Sequence, residues 1–371
     1  MSNIAKANTL SFVDKLRNYL RASYPLLWVR SHEETRVIRE ITDAFSETKQ
    51  PVNVYRWDVV NELTKFKHPE KKQDNPAGTW EKSKLSDTKL AKIISTCRTL
   101  GVKDERTIIV LQDYHHYIEA PGQIREIRNA IEDLKARGSV IIFLSPVIRI
   151  PVELEKEIQL LSFNLPGDEA ITTLLTSTQI AVQKDCQKQV EKLGAEATQA
   201  QRDEILAKAV LTPEVLRAAV EGAKGMTMAE IQNAFSLAAV ENRRFNSSFV
   251  MTVFEEKVQQ VKRHGLLQYI KPDVTFDNVG GLHELKTWIH TRSKAYSQAA
   301  RAYGLPYPRG VLLCGVPGTG KTLLAKATAN EFEFPLFQLD IGSLFDKHVG
   351  STEENFRRVI DTVDGIGRCV L

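Results

Sequence analysis

The sequence predicts an α/β protein of two domains, and three observations carry that reading. Apolar runs at residues 24–31, 52–58, 107–112 and 140–144 alternate with helical periodicity. Strands of this kind, separated by helices, imply a parallel sheet covered on both faces. After Asp168 only helical patterns follow, up to a linker at residues 264–271. Beyond the linker, Val311, Leu312, Leu313 and Cys314 lead directly into a glycine-rich loop and a helix, which reads as the buried first strand of a second core. The predicted domains are residues 1–265 and 266–371.

Composition narrows the classes. The chain has 371 residues, enough for two cores. Apolar residues make up 42% and charged residues 26%, the balance of a soluble globular protein. A net charge of +4 is too slight to argue for nucleic acid or a membrane surface. The four cysteines form no CxxC pair, which excludes a familiar zinc signature and fits reduced thiols in a cytosol-like compartment. No apolar stretch has the length of a membrane span, and residues 1–10 carry no apolar signal core.

Phe12, Leu16 and Leu20 stand at helical spacing and predict an amphipathic helix over residues 11–22. YPLLWVRS at 24–31 predicts a strand, residues 32–45 a helix, and VNVYRWD at 52–58 an alternating strand. Residues 61–84 are polar and Lys-rich, with Pro69, Pro76 and Gly78, and predict a surface loop. Its lysines are either a binding patch or, in preference, a solvated face. Ser86 is placed to cap a helix to about Leu100. Strands follow at 107–112, 140–144 and 158–163, with a helix at 123–136. In the helical stretch, Thr227 and Glu230 form a capping box that opens a helix to about Glu241.

The first strand runs into Arg30, Ser31, His32, Glu33 and Glu34. There is no glycine here to let backbone amides close on a phosphate, and two carboxylates would repel one. Asp113 ends a later strand, followed by Tyr114, His115 and His116. A metal reading of Asp113 and the two histidines competes with a structural one; adjacent residues on one segment seldom converge on one ion. In outline this layout resembles an AAA module whose nucleotide chemistry is missing. What the resemblance implies is a degenerate, P-loop-less AAA-like domain serving as a structural or partner-binding unit.

Gly315, Val316, Pro317, Gly318, Thr319, Gly320, Lys321 and Thr322 spell G-x-x-x-x-G-K-T between a strand pattern and a helix pattern. Glycines let backbone N–H groups surround phosphate oxygens, and the helix start adds free N–H groups and a positive dipole end. Lys321 is placed to reach the β- and γ-phosphates, and the Thr322 hydroxyl to ligate Mg²⁺. The cofactors predicted are therefore ATP and Mg²⁺.

DVTFDNVGGL at 273–282, then Leu285 to Trp288, then GLPYPRG at 304–310, together with the loop, resemble the AAA family. That resemblance lays the backbone of Val279 and Gly280 along the adenine. It also matches residues 342–353 to the family's pore loop, with Lys347, His348 and Val349 facing the pore and His348 standing where an aromatic residue grips polypeptide. The competing reading makes these ordinary loop residues.

Across nearly the whole chain, from Tyr24-Pro25-Leu26 through Trp57, Asp113, Ser145-Pro146, residues 151–157, Gly225-Met226-Thr227 and Leu282 to Leu339-Asp340, the sequence is similar to the AAA family known as hypothetical chloroplast reading frame forty-six. In that family a P-loop-less N-terminal domain precedes one AAA module. The resemblance implies an ATPase that forms a homo-oligomeric ring, a hexamer, and remodels a protein partner, in cytoplasm or plastid stroma, with no membrane or nucleic-acid partner. The sequence finishes in GIGRCVL, and its residues 368–371 match the start of the strand that carries Walker B in the family. The expectation is therefore an incomplete AAA core, a fragment of a longer protein, with no catalytic residue of its own and no hydrolysis. The alternative is a nucleotide-binding or regulatory module without turnover.

Overall fold

The structure, a computed structural model, describes residues 11–46, 52–67, 78–83, 89–100, 106–192, 198–263, 267–306, 308, 310–332, 334–340, 356, 359–360, 363 and 369–371. The chain divides into two compact units, Met1–Asn164 and Leu165–Leu371.

In the first unit, α1 (Phe12–Arg21) is capped by the Ser11 hydroxyl, which accepts from the Asp14 N–H at 3.1 Å. It leads to β1 (Leu26–Arg30), α2 (Glu34–Ser46) and β2 (Val52–Asp58). Next come β3 (Glu62–Lys67), β4 (Thr79–Lys82), α3 (Ile93–Thr99) and β5 (Arg106–Gln112). The unit closes with α4 (Pro121–Arg137), β6 (Val140–Ser145) and β7 (Ile158–Ser162). The sheet order is β4-β3-β2-β5-β6-β1-β7. Its five strands from β2 to β7 are parallel, and β3 and β4 add an antiparallel edge.

Alternation along the strands explains the layers. On β1, Trp28 faces one side, with Phe143, Trp57, Tyr114 and the apolar faces of α3 and α4. Leu27 and Val29 face the other, with Leu16 and Leu20 of α1 and Val37, Ile41 and Phe45 of α2. Burying side chains on both faces requires strands without polar positions, and β6 is buried at all six residues.

Residues 61–84 are not a single surface loop. Residues 62–67 and 79–82 are strands, paired with Lys65 opposite Glu81 and Phe66 opposite Trp80. Phe66 and Trp80 lie 5.1 Å apart, and Arg56 stacks on Trp80 at 4.3 Å. Among the described residues, Lys65 and Lys67 are exposed on β3, and Lys82 is exposed on the edge strand β4, where charge deters pairing with another chain. Ser86 lies outside the described residues, and α3 begins at Ile93.

The second unit opens with α5 (Asp168–Lys192), α6 (Gln199–Ala207), α7 (Pro213–Ala223), α8 (Met228–Asn242) and α9 (Ser247–Arg263). Phe235, Phe249, Ile231 and Val253 centre their core. The capping box at Thr227 and Glu230 is present. β8 (Leu267–Ile270), α10 (His283–Ser293), α11 (Gln298–Tyr303), α12 (Lys321–Phe332) and β9 (Leu336–Leu339) follow. β8 and β9 pair antiparallel, and Leu336 bridges Val370 in parallel. No helix among the described residues is long and apolar enough to cross a membrane.

Candidate nucleotide-binding site

The glycine-rich loop is built by backbone conformation first. Gly318 and Gly320 have φ of +84° and +82°, the left-handed region that side chains resist. A Cβ on either glycine would meet nothing within 4 Å, so the space above them is open. The Thr319 hydroxyl donates to the Val316 carbonyl at 2.9 Å and pins the turn. The first helical bond of α12 runs from the Leu324 N–H to the Gly320 carbonyl. The N–H groups of Lys321, Thr322 and Leu323 therefore have no partner within the helix and form a donor set for an anion. Lys321 Nζ donates to the carbonyls of Gly315 and Val316, so its charge hangs over the same loop. Thr322 is exposed beside it at the helix start. This donor set fits a polyphosphate, with an oxygen ligand for Mg²⁺ at Thr322.

The apolar run ahead of the loop departs from expectation. Residues 311–314 form no strand, and Val311 and Leu312 are 51% and 88% exposed. A buried strand needs hydrogen-bonded neighbours, and no described residue pairs with this segment.

Val279 is buried with Ile289, Leu324 and Ala327 in one cluster, which holds the 276–280 segment against α12. Gly280 is exposed, with nothing near its missing Cβ. Thus the residues expected along a base do flank the helix that follows the loop. His290 Nδ1 of α10 lies 2.6 Å from Glu331 Oε1 of α12, a second tie between these helices. The sequence reading missed Lys286, whose Nζ donates to the Val279 carbonyl; nothing in its spacing marks it. Lys347, His348 and Val349 lie outside the described residues.

In the first unit the strand ends carry a different set. Glu34, Asp58, Gln112, Asp113, His116 and Tyr117 line a cavity of about 410 Å³. Burial raises the Glu34 pKa; a hydrogen bond from Gln112 opposes the rise, and Asp113 and Asp58 add to it. Asp58 is held low despite burial by N–H groups of Asn61 and Val60 and by the Asn61 side chain. Burial, with help from His116, lowers the His115 pKa. No group of three or more His, Cys, Asp or Glu side chains among the described residues is arranged to hold a metal ion, which removes the metal reading of Asp113, His115 and His116.

Family models match three stretches of the chain. Residues 12–163 match the SpoVK-like AAA ATPase N-terminal domain, 188–264 its second domain, and 311–371 the ATPase family associated with various cellular activities. The AAA domain-containing protein ycf46 of Guillardia theta is 28% identical over 367 residues, covering 98% of this chain and 64% of its own. The ycf46 protein of Gracilaria tenuistipitata var. liui is 34% identical over 265 residues, covering 71% of this chain and 49% of its own.

The chain belongs to the AAA family and is of the ycf46 type.

This AAA chain thus spans less than two thirds of the length of these relatives. A third relative, named an AAA ATPase forming ring-shaped complexes, from Corynebacterium jeikeium (strain K411), is 38% identical over 113 residues, covering 29% of this chain and 22% of its own. The AAA assignment accords with an α/β architecture whose central sheet is mostly parallel.

Proposed function

We propose that this AAA chain binds ATP with Mg²⁺ through Gly315 to Thr322, with Val279 and Gly280 along the base. The observation that carries it is the loop itself: two left-handed glycines, a charged Lys321 above them, and the open amide end of α12. Backbone amides and Lys321 hold the β- and γ-phosphate oxygens, and the Thr322 hydroxyl holds the metal side. Mg²⁺, when bound, supplies charge neutralisation between those phosphates.

In its complete form the protein is an ATPase that couples hydrolysis to remodelling of a protein partner, as a homo-oligomeric hexameric ring. The Corynebacterium relative's printed name supports the ring. Lys347, His348 and Val349 then face the pore. Residues 1–371 taken alone bind nucleotide without turning it over, because no apolar strand ending in an acidic pair follows the loop in this sequence. The competing reading, a regulatory module without turnover in any form, predicts no phosphate release from the complete protein either.

The first module, residues 1–265, is a degenerate AAA-like domain that binds no nucleotide; the acids at its strand ends support this. Residues 266–371 belong to the ATPase module. The localisation proposed is cytoplasm or plastid stroma.

Calorimetric titration with ATP–Mg²⁺ tests the site. The parent chain should bind and Lys321→Ala should lose at least about tenfold in affinity, the value of a charge-assisted contact. Equal binding by the two would overturn the assignment. Sedimentation with a non-hydrolysed analogue should show assembly of the complete protein, since ligand held at a subunit border favours the ring by mass action.

A further inference from the structure

We propose that Lys286 is the positioning residue of the base-binding strip: its ammonium fixes the Val279 carbonyl and with it the backbone on which a nucleotide's base lies. This rests on the nucleotide reading above. Lys286 is half-buried on the first turn of α10, and its Nζ donates to the carbonyl of Val279, seven residues back.

The chain between them turns through two successive left-handed residues, Gly281 at φ +64° and Leu282 at φ +55°. Leucine resists that conformation, at a cost on the order of 1 kcal/mol. A strained turn of this kind persists only where its surroundings over-determine it. The entry to the strip is held by Thr275 and Asn278, where the Thr275 N–H donates to Asn278 Oδ1 at 3.1 Å. At the exit, the Lys286 ammonium is the side-chain tie.

The position of the strip suits a base. Val279 shares its cluster with Leu324 and Ala327, three and six residues beyond Lys321 on α12. At 1.5 Å per residue that is roughly 5–9 Å along the helix from the phosphate end, about one nucleoside away. Val279 is 6% exposed and faces α12, while Gly280 beside it is open. Nothing lies within 4 Å of where a Gly280 Cβ would stand, which leaves that side open to the approach of a flat ring. A carbonyl has two lone pairs, so the Val279 oxygen can serve Lys286 and still orient its peptide toward a ligand. An ammonium on a carbonyl is also a charge-assisted bond, the stronger kind.

Titration calorimetry of the 371-residue chain with two probes separates base from phosphate. ADP–Mg²⁺ reads both; inorganic triphosphate with Mg²⁺ reads only the loop. Lys286→Met should weaken ADP about tenfold and leave triphosphate unchanged. Lys286→Arg, which restores a donor, should stay within about threefold of the parent for ADP. Unchanged ADP affinity in Lys286→Met, with the parent binding both probes, would overturn this inference and leave the nucleotide reading standing. Equal loss of both probes would also overturn it, since that marks a structural role. A parent chain that binds neither probe would overturn the nucleotide reading and this inference with it.

Discussion

The ammonium of Lys321 stands 2.8 Å from the carbonyl oxygen of Gly315, six residues before it, and closes the glycine-rich loop into a ring. Inside that ring, geometry is set by residues with no side chain. Alanine at Gly318 or Gly320 would have to adopt φ near +84° or +82°, at about 1–2 kcal/mol. The added methyl would also occupy space above the loop. Gly318→Ala and Gly320→Ala should each lower ATP–Mg²⁺ affinity by at least about tenfold in calorimetry, with a small drop in melting temperature. Gly310 serves as control, because its φ is not left-handed and a Cβ there meets nothing. If Gly310→Ala weakened binding as much, loop conformation would not be the cause.

Much of the architecture was legible because burial writes itself into composition. β1, β2, β5, β6 and β7 are apolar runs with buried faces, and the sequence reading placed each within two residues. β3 and β4 were not legible. In β3 the buried Leu63, Thr64 and Phe66 do not keep a strict two-residue alternation, and Lys65 and Lys67 dominate the composition. Residues 311–314 show the opposite failure. Their apolar content suggests burial, yet strand formation depends on neighbours that composition does not report. The turn of the glycine-rich loop was legible because left-handed backbone demands glycine at fixed positions, here Gly318 and Gly320. Lys286 was not, because a side chain reaching a carbonyl seven residues back leaves no pattern.

In the first core, Trp28 Nε1 donates to Ser145 Oγ at 3.1 Å, and that hydroxyl donates to the Val147 carbonyl at 2.7 Å. Both Trp28 and Ser145 are buried. Ser145→Ala orphans the indole N–H, which should cost about 1–3 kcal/mol in urea unfolding. Trp28→Phe removes the donor but also shrinks a packed side chain. The double variant should therefore be more stable than the sum of the single losses. Strict additivity would mean the bond contributes nothing.

Lys257 is buried in the second unit, and burial lowers its pKa from 10.5 to about 8. Cys369 and Glu221 act to raise it, and Lys224 to lower it. Below pH 8 the lysine is charged in both states, and the fold carries the cost of burying that charge. Between about pH 8 and 10.5 the unfolded chain holds more protons than the folded one, so this group's contribution to stability rises with pH. Burial raises the pKa of Cys369, so its thiol works against the trend above pH 9. Lys257→Met should remove the rising component and leave stability flatter or falling from pH 8 to 10. Urea unfolding across that range measures it; an identical slope in parent and variant would show that Lys257 is not titrating there.

The carboxyl ends of the first unit's strands should reject nucleotide. Parallel α/β sheets hold ligands at such ends, so the place is right and the chemistry decides. Glu34 follows β1, Asp58 ends β2 and Asp113 follows β5, and all three line one cavity. No lysine or arginine is among its lining residues. Asp113 adopts φ +52° and Glu34 is occupied by Gln112 Nε2, so the site offers acceptors where a phosphate needs donors. Burial and the two aspartates raise the Glu34 pKa, so the carboxylates already repel one another without a ligand. Because the folded pKa exceeds the unfolded one, this cost is present near neutral pH and fades as pH falls below the folded value. Glu34→Gln should therefore raise stability at pH 7 and change it little at pH 4. For nucleotide, whatever ATP–Mg²⁺ binding survives Lys321→Ala belongs to the remaining amide donors of residues 315–322. A further substitution at Glu34 or Asp113 should leave it unchanged in calorimetry. Residual micromolar binding in that variant, abolished by a further change at Glu34 or Asp113, would show that the first unit binds nucleotide after all.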